Sequence, residues 1–152
     1  MQLLNFTTLE PFQHEMVLSW RNHSDIRKWM IQQKEISPQE HLNFIQSLKQ
    51  RDDKWYFLVH DENCYLGVIN LHRLTTSTAE LGIYANPDLR GVGKILMTQL
   101  IDFAITLGVS KLIANVINHN VRACHLYQQF AFMETTKATL NEIKMTTLEK
   151  IL

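Results

Sequence analysis

Cysteine is scarce in this 152-residue chain. Cys64 and Cys124 are the only two, and neither belongs to a Cys-x-x-Cys pair. Two such thiols cannot build a disulfide framework, so they read as idle thiols in a reducing compartment. Long apolar runs are missing too. The longest stretch without a polar residue, Cys64 to Ile69, is far short of the roughly 20 residues that a membrane-spanning helix needs. Neither sign of charge is in excess, since fifteen Lys and Arg face fifteen Asp and Glu, with seven His beside them. That balance excludes a basic nucleic-acid coat and an acidic disordered tail, but not a local basic site. Met1-Gln2-Leu3-Leu4-Asn5-Phe6 lacks a basic stretch followed by an apolar run, so no signal peptide is expected. The reading is a cytoplasmic protein with neither nucleic acid nor membrane as partner.

Five Gly and three Pro fall at separate points, and no segment is of low complexity. One domain over residues 1–152 is the simplest account, and about 150 residues can bury about 70% of their unfolded surface. Residues 2–8 read as a strand. Residues 10–22 place Phe12, Met16, Val17 and Trp20 at helical spacing. A short helical piece from Asp25 to Met30 follows, with Ser24 as its cap. Ser37-Pro38-Gln39-Glu40 is a capping box with proline in the first turn, opening a helix that carries Leu42, Phe44, Ile45 and Leu48. Trp55–Val59 and Tyr65–Leu74 read as a hairpin around Asp61-Glu62-Asn63, and Thr78–Ala85 as the next strand. Gly91–Leu107 is a long helix with Ile95, Leu96, Leu100, Phe103 and Ala104 inward. A strand at Lys111–Ile117, a helix at His119–Phe130 and strands at Phe132–Thr136 and Ile143–Leu148 complete the order. The fold class is α/β (α+β in some classifications): a mixed sheet with helices on both faces.

Chemistry concentrates at Asp88-Leu89-Arg90-Gly91-Val92-Gly93-Lys94, between a strand and the long helix. Glycine at 91 and 93 lets backbone approach a ligand closely. The first N–H groups of the helix are unpaired and lie at the positive end of its dipole, a ready site for a pyrophosphate. A second element, Asn120-Val121-Arg122-Ala123-Cys124-His125-Leu126-Tyr127, opens the helix after the next strand. Together these motifs resemble the GCN5-related N-acetyltransferase superfamily. Its Arg/Gln-x-x-Gly-x-Gly/Ala turn is met at Gly91 and Gly93, with Asp88 in the first place. Its Gly-Phe after the tyrosine helix is Ala131-Phe132 here. The likeness spans residues 54–133, and strand order extends it to nearly the whole chain.

The resemblance implies a mostly antiparallel, twisted sheet of about seven strands, and acetyl-coenzyme A as donor, without a metal. The donor's pyrophosphate would lie on the N–H groups of Leu89, Arg90, Gly91, Val92, Gly93 and Lys94. Its pantetheine arm would pair with the backbone of Ile83, Tyr84 and Ala85. Asn115, Asn120 and Ala123 complete the cofactor side. Tyr127 would protonate the departing thiolate, since a phenol stays protonated at neutral pH. A backbone N–H near Tyr84 would meet the carbonyl oxygen. For the base, Glu80 and Asn70 are the candidates, with His72 on the same face as Asn70 and Asn115 facing from the neighbouring strand. A water passed along these polar groups, or no base at all, remains open.

The acceptor is read from Arg21-Asn22-His23 and Ile26-Arg27-Lys28-Trp29-Met30, followed by the Ile36-Ser37-x-x-Glu40-His41 helix start. This text resembles the nucleotide-sugar acetyltransferases of pseudaminic acid synthesis. These acetylate the 4-amino group of UDP-4-amino-4,6-dideoxy-N-acetyl-β-L-altrosamine, for flagellin glycosylation. Arg21 and Arg73 would meet its diphosphate, with His41 and His72 beside them. Tyr84 or Trp20 would offer an aromatic face, although the helical spacing of Trp20 favours the core. The same branch includes ribosomal-protein N-terminal acetyltransferases, and a non-catalytic acyl-coenzyme-binding module is the third reading. His119 and His125 stand six apart, unlike zinc-binding pairs, so no metal is expected. A monomer or a homodimer would satisfy the sequence.

Overall fold

The computed structural model describes residues 1–152. Its elements are β1 (Gln2–Asn5), α1 (Pro11–Asn22), α2 (Ser24–Arg27), α3 (Pro38–Lys49), β2 (Lys54–His60), β3 (Tyr65–Arg73), β4 (Thr78–Ala85), α4 (Gly93–Thr106), β5 (Lys111–Ile117), α5 (Val121–Gln129), β6 (Met133–Leu140) and β7 (Ile143–Ile151). All seven strands join one sheet in the order β1-β2-β3-β4-β5-β7-β6. Every neighbouring pair is antiparallel except β4 with β5. That parallel pairing covers only Thr78–Glu80 against Lys111–Ile113, after which the two strands part. The sheet therefore opens into a gap beyond Glu80, and the candidate site is built around it.

The two faces carry separate cores. On one, Leu96, Met97, Leu100 and Ala104 of α4 pack with Tyr127 of α5 against Phe57, Val59, Ile69, Leu71, Leu81, Leu112 and Leu148. On the other, Val17 and Trp20 of α1 and Ile45 and Leu48 of α3 pack with Phe6 against Leu58 and Val68. Strand alternation explains the split: Leu58 and Val68 stand one residue from Phe57, Val59 and Ile69.

Several expectations shift. The first strand ends at Asn5, whose side chain accepts from the Thr7 N–H at 2.9 Å and turns Phe6–Thr8 into a single 3-10 turn. Gln13 is buried in α1 while Phe12 is exposed. The α2 piece ends at Arg27, and its cap is the His23 ring rather than Ser24. The Ser37–Glu40 capping box is present in full, but His41 takes the inward place expected of Leu42. In α4, Met97 replaces Ile95 on the buried stripe. The closing strands run longer than expected because Asn141 and Glu142, both at positive φ, form a two-residue hairpin loop between Leu140 and Ile143.

Candidate active site

The strand-to-helix turn has a defined internal order. Asn86 donates its N–H to the Leu66 carbonyl at 2.9 Å, and the Asn86 side chain accepts from the Asp88 N–H at 2.9 Å. The Leu89 N–H donates to the Asn86 carbonyl at 3.0 Å, so it is spent inside the turn and unavailable to a ligand. The first helical bond is Leu96 N–H to the Val92 carbonyl. Between them, the N–H groups of Arg90, Gly91, Val92, Gly93, Lys94 and Ile95 have no acceptor within the chain. No side chain caps α4. The expected row of donors thus starts one residue later and ends one residue later. Gly91 holds φ +76°, a left-handed conformation. Such a row at a helix N-terminus suits an anion.

Register also sets which β4 groups face the gap. Asn86 bonds Leu66, and Leu74 donates to the Thr78 carbonyl at 2.8 Å. Hydrogen-bonded pairs alternate along an antiparallel ladder, so the even-numbered residues of β4 are spent on β3. Ile83 and Ala85 point their N–H and C=O the other way, where β5 has already diverged. The Tyr84 N–H belongs to the β3 ladder; its two neighbours supply the open groups.

Tyr127 enters from α5, and its side chain shares a core cluster with Ile83, Ala85, Val92 and Ala123. Burial, with the nearby Cys124 thiol adding to it, raises the Tyr127 phenol well above its ordinary value, so it stays protonated. The end of α5 holds it in place. Phe132 donates its N–H to the Tyr127 carbonyl and Ala131 donates to Gln128, each at 3.0 Å. The Tyr127 and Phe132 rings lie 5.2 Å apart. This is a Schellman cap in which Ala131 takes the glycine position at φ +64°. Asn120 caps the other end of α5, accepting from the Ala123 N–H at 3.2 Å. Both groups, expected on the cofactor side, are thus partly spent on each other.

The opposite face of the sheet carries a polar group. Asn115 faces it from β5, on the base side rather than the cofactor side, and its Nδ2 donates to Glu80 Oε2 at 2.9 Å. Asn115 Oδ1 in turn accepts from the Thr147 hydroxyl at 2.6 Å. Asn70 lies across Gly82, its register partner, where a Cβ would stand 2.6 Å from the Asn70 amide. His72 stands opposite Glu80 and faces Asp53 at 3.3 Å. Tyr56 and Tyr84 border the same region. Burial raises both phenols, with the Glu80 carboxylate adding to the effect on Tyr56.

Arg21 joins this group from α1. One terminal nitrogen donates to the Gln32 carbonyl at 2.7 Å, and the other is buried without a partner. Partial burial lowers the guanidinium from its ordinary value, while the Tyr84 and Tyr56 phenols act in the opposite sense. Two expected acceptor residues lie elsewhere. Arg73 faces the α4 side, donating to the Leu107 carbonyl at 2.6 Å and lying over the Trp55 ring. Its neighbour His72 points to the other face because adjacent strand residues alternate. His41 sits in the seam of α1 and α3, its Nε2 3.2 Å from His14 Nδ1, at an open cleft of about 910 Å³. Trp20 is core, with 5% of its surface exposed, and offers no free aromatic face. Tyr56, Gly82 and Thr147 were not singled out from the sequence. Gly82 alone carried a signal, as a glycine inside a strand. No three His, Cys, Asp or Glu side chains converge on a site that could hold a metal ion.

Comparison with known proteins supplies the family. Residues 14–132 match the acetyltransferase (GNAT) family. Acetyltransferase PseH of Campylobacter jejuni is 43% identical over 132 residues, covering 86% of this chain and 83% of that protein. The crystal structure of C. jejuni N-acetyltransferase PseH in complex with acetyl coenzyme A is similar at TM-score 0.78 and 34% identity, over 99% of this chain and 97% of that one. A spermidine N-acetyltransferase from Vibrio cholerae shares the fold at TM-score 0.87 and 19% identity, over 99% of this chain and 94% of that one. The chain belongs to the acetyltransferase (GNAT) family and is an acetyl-CoA-dependent N-acetyltransferase.

Proposed function

We propose that this enzyme acetylates the 4-amino group of a UDP-linked amino sugar, UDP-4-amino-4,6-dideoxy-N-acetyl-β-L-altrosamine, in pseudaminic acid synthesis for flagellin glycosylation in the cytoplasm. The observation that carries the acceptor class is Arg21. Its buried, unpartnered guanidinium nitrogen lies among Tyr56 and Tyr84, on the face that holds Glu80. A nucleotide diphosphate is the class of acceptor that supplies anionic oxygens there. A peptide α-ammonium calls instead for an acidic pocket. Resemblance to the PseH acetyltransferases supports the same reading.

The chain's residues divide the work. The free N–H groups from Arg90 to Ile95 hold the coenzyme pyrophosphate. The outward backbone of Ile83 and Ala85 pairs with its pantetheine arm, and one of these N–H groups meets the thioester oxygen as charge develops on it. Glu80, directly or through a water beside Asn70, takes the proton of the attacking amine. The amine nitrogen bonds to the acetyl carbon, the carbon–sulfur bond breaks, and Tyr127 gives its phenolic proton to the leaving thiolate. A thiol-release assay offering acetyl-CoA with UDP-4-amino sugars and, separately, ribosomal-protein N-terminal peptides tests the reading. Turnover with the sugar nucleotide alone is expected, and turnover with the peptides alone overturns it. Tyr127→Phe is expected to lower kcat by about 10²–10⁴-fold, and near-wild-type turnover removes the acid role.

A further inference from the structure

Glu80, Asn115 and Thr147 form a chain of hydrogen bonds across three strands, from β4 through β5 to β7. Its direction is set by chemistry. An ionised carboxylate only accepts, so the group of Asn115 that faces Glu80 must be the amide Nδ2, which donates. That leaves Oδ1 toward β7, where it needs a donor, and the Thr147 hydroxyl supplies one at 2.6 Å. If the amide turned over, its oxygen would face the carboxylate and its NH₂ would face the threonine. We infer that Thr147, acting through Asn115, is a positioning residue that holds the Asn115 amide the right way round and thereby keeps Glu80 aimed at the sheet gap. Thr147 touches no reacting atom.

This assignment rests on Glu80 as the base. His72 stands opposite Glu80 on β3, and the Glu80 carboxylate acts on the Tyr56 phenol of β2. Neither residue changes when Thr147 does. Without the hydroxyl nothing holds the amide, and its oxygen can turn toward the carboxylate. The test is steady-state kinetics of the intact enzyme, beside the Asn115 side-chain amide signals in a ¹⁵N NMR spectrum. With Thr147→Val, kcat is expected to fall about 5-fold and the Asn115 signals to shift. Thr147→Ser, which keeps the hydroxyl, is expected to restore both. Wild-type kcat in Thr147→Val, or equal losses in the Val and Ser variants, overturns the inference. The base assignment fails separately, if Glu80→Gln keeps wild-type kcat/KM. A folded-state circular dichroism spectrum and an unchanged KM for acetyl-CoA exclude general damage to the sheet.

Discussion

Gly91→Ala isolates the backbone requirement of the donor turn. Gly91 sits at φ +76°, and the space its Cβ would fill is empty out to 4 Å. No neighbour clashes, so the whole cost is that of a non-glycine residue in the left-handed region, about 1–2 kcal/mol. Where that cost appears depends on the conformation of the turn. If the turn keeps its shape, the folded state bears it, and the melting temperature falls by about 2–4 °C per kcal/mol for a chain of this size. If the turn relaxes to negative φ, the adjoining N–H groups rotate away and acetyl-CoA must restore them. Its Kd then rises by about 5–30-fold. Gly93→Ala is the control. A Cβ there meets only the tip of Leu126 at 3.2 Å, which can give way, so its effects are expected to be smaller on both readouts. Calorimetric titration with acetyl-CoA and thermal unfolding of the same preparations measure the two parts. A Gly91→Ala protein unchanged in both melting temperature and Kd refutes the reasoning.

The reverse exchange, Ala131→Gly, places glycine at φ +64° in the cap after Tyr127 and is expected to raise the melting temperature by about 2–4 °C per kcal/mol gained. An unchanged or lower value counts against strain there. Gly67→Ala would put a Cβ 2.6 Å from the Tyr84 carbonyl and 2.8 Å from Leu96. A loss of about 1–3 kcal/mol is expected on denaturant unfolding, with a raised acetyl-CoA KM because β4 is displaced. Arg73→Ala removes the bond to Leu107 and is expected to lower stability by about 1 kcal/mol without changing the acceptor KM, whereas Arg21→Ala raises that KM. Burial holds His14 and His41 below their ordinary value of 6.5. The unfolded chain binds more protons between the lowered values and 6.5, so stability is complete above that window and falls as pH drops through it. Melting curves recorded above and below the window are expected to show this slope, and His41→Gln is expected to flatten it.

Local interactions were legible in the residue order. The capping box at Ser37 and Glu40, the turn at Gly91 and the alternating runs of β2 to β4 each involve partners within a few positions. Their physics acts before any tertiary contact forms. Arg73 is a correction that strand alternation explains: it adjoins His72 on one strand, so the two do not share the acceptor face on which both were expected. Trp20 likewise followed its helical spacing into the core.

Other features depend on segments far apart in the chain. Glu80 meets Asn115 across 35 positions, and Asn115 meets Thr147 across 32. No local pattern encodes either bond. Leu89 looked like a donor until the turn around Asn86 consumed its N–H. His41 looked like an acceptor contact until α3 packed on α1 and paired it with His14. The gap itself arises because β5 follows β4 for only three residues, while it stays paired with β7 from Lys111 to Ile117. By itself the sequence determined the family, the capping box and the glycine turn, because these rest on covalent neighbours and chemical type. Only the tertiary structure decided which donors stay free and which side chains meet, because a hydrogen bond made within the fold is no longer available to a ligand.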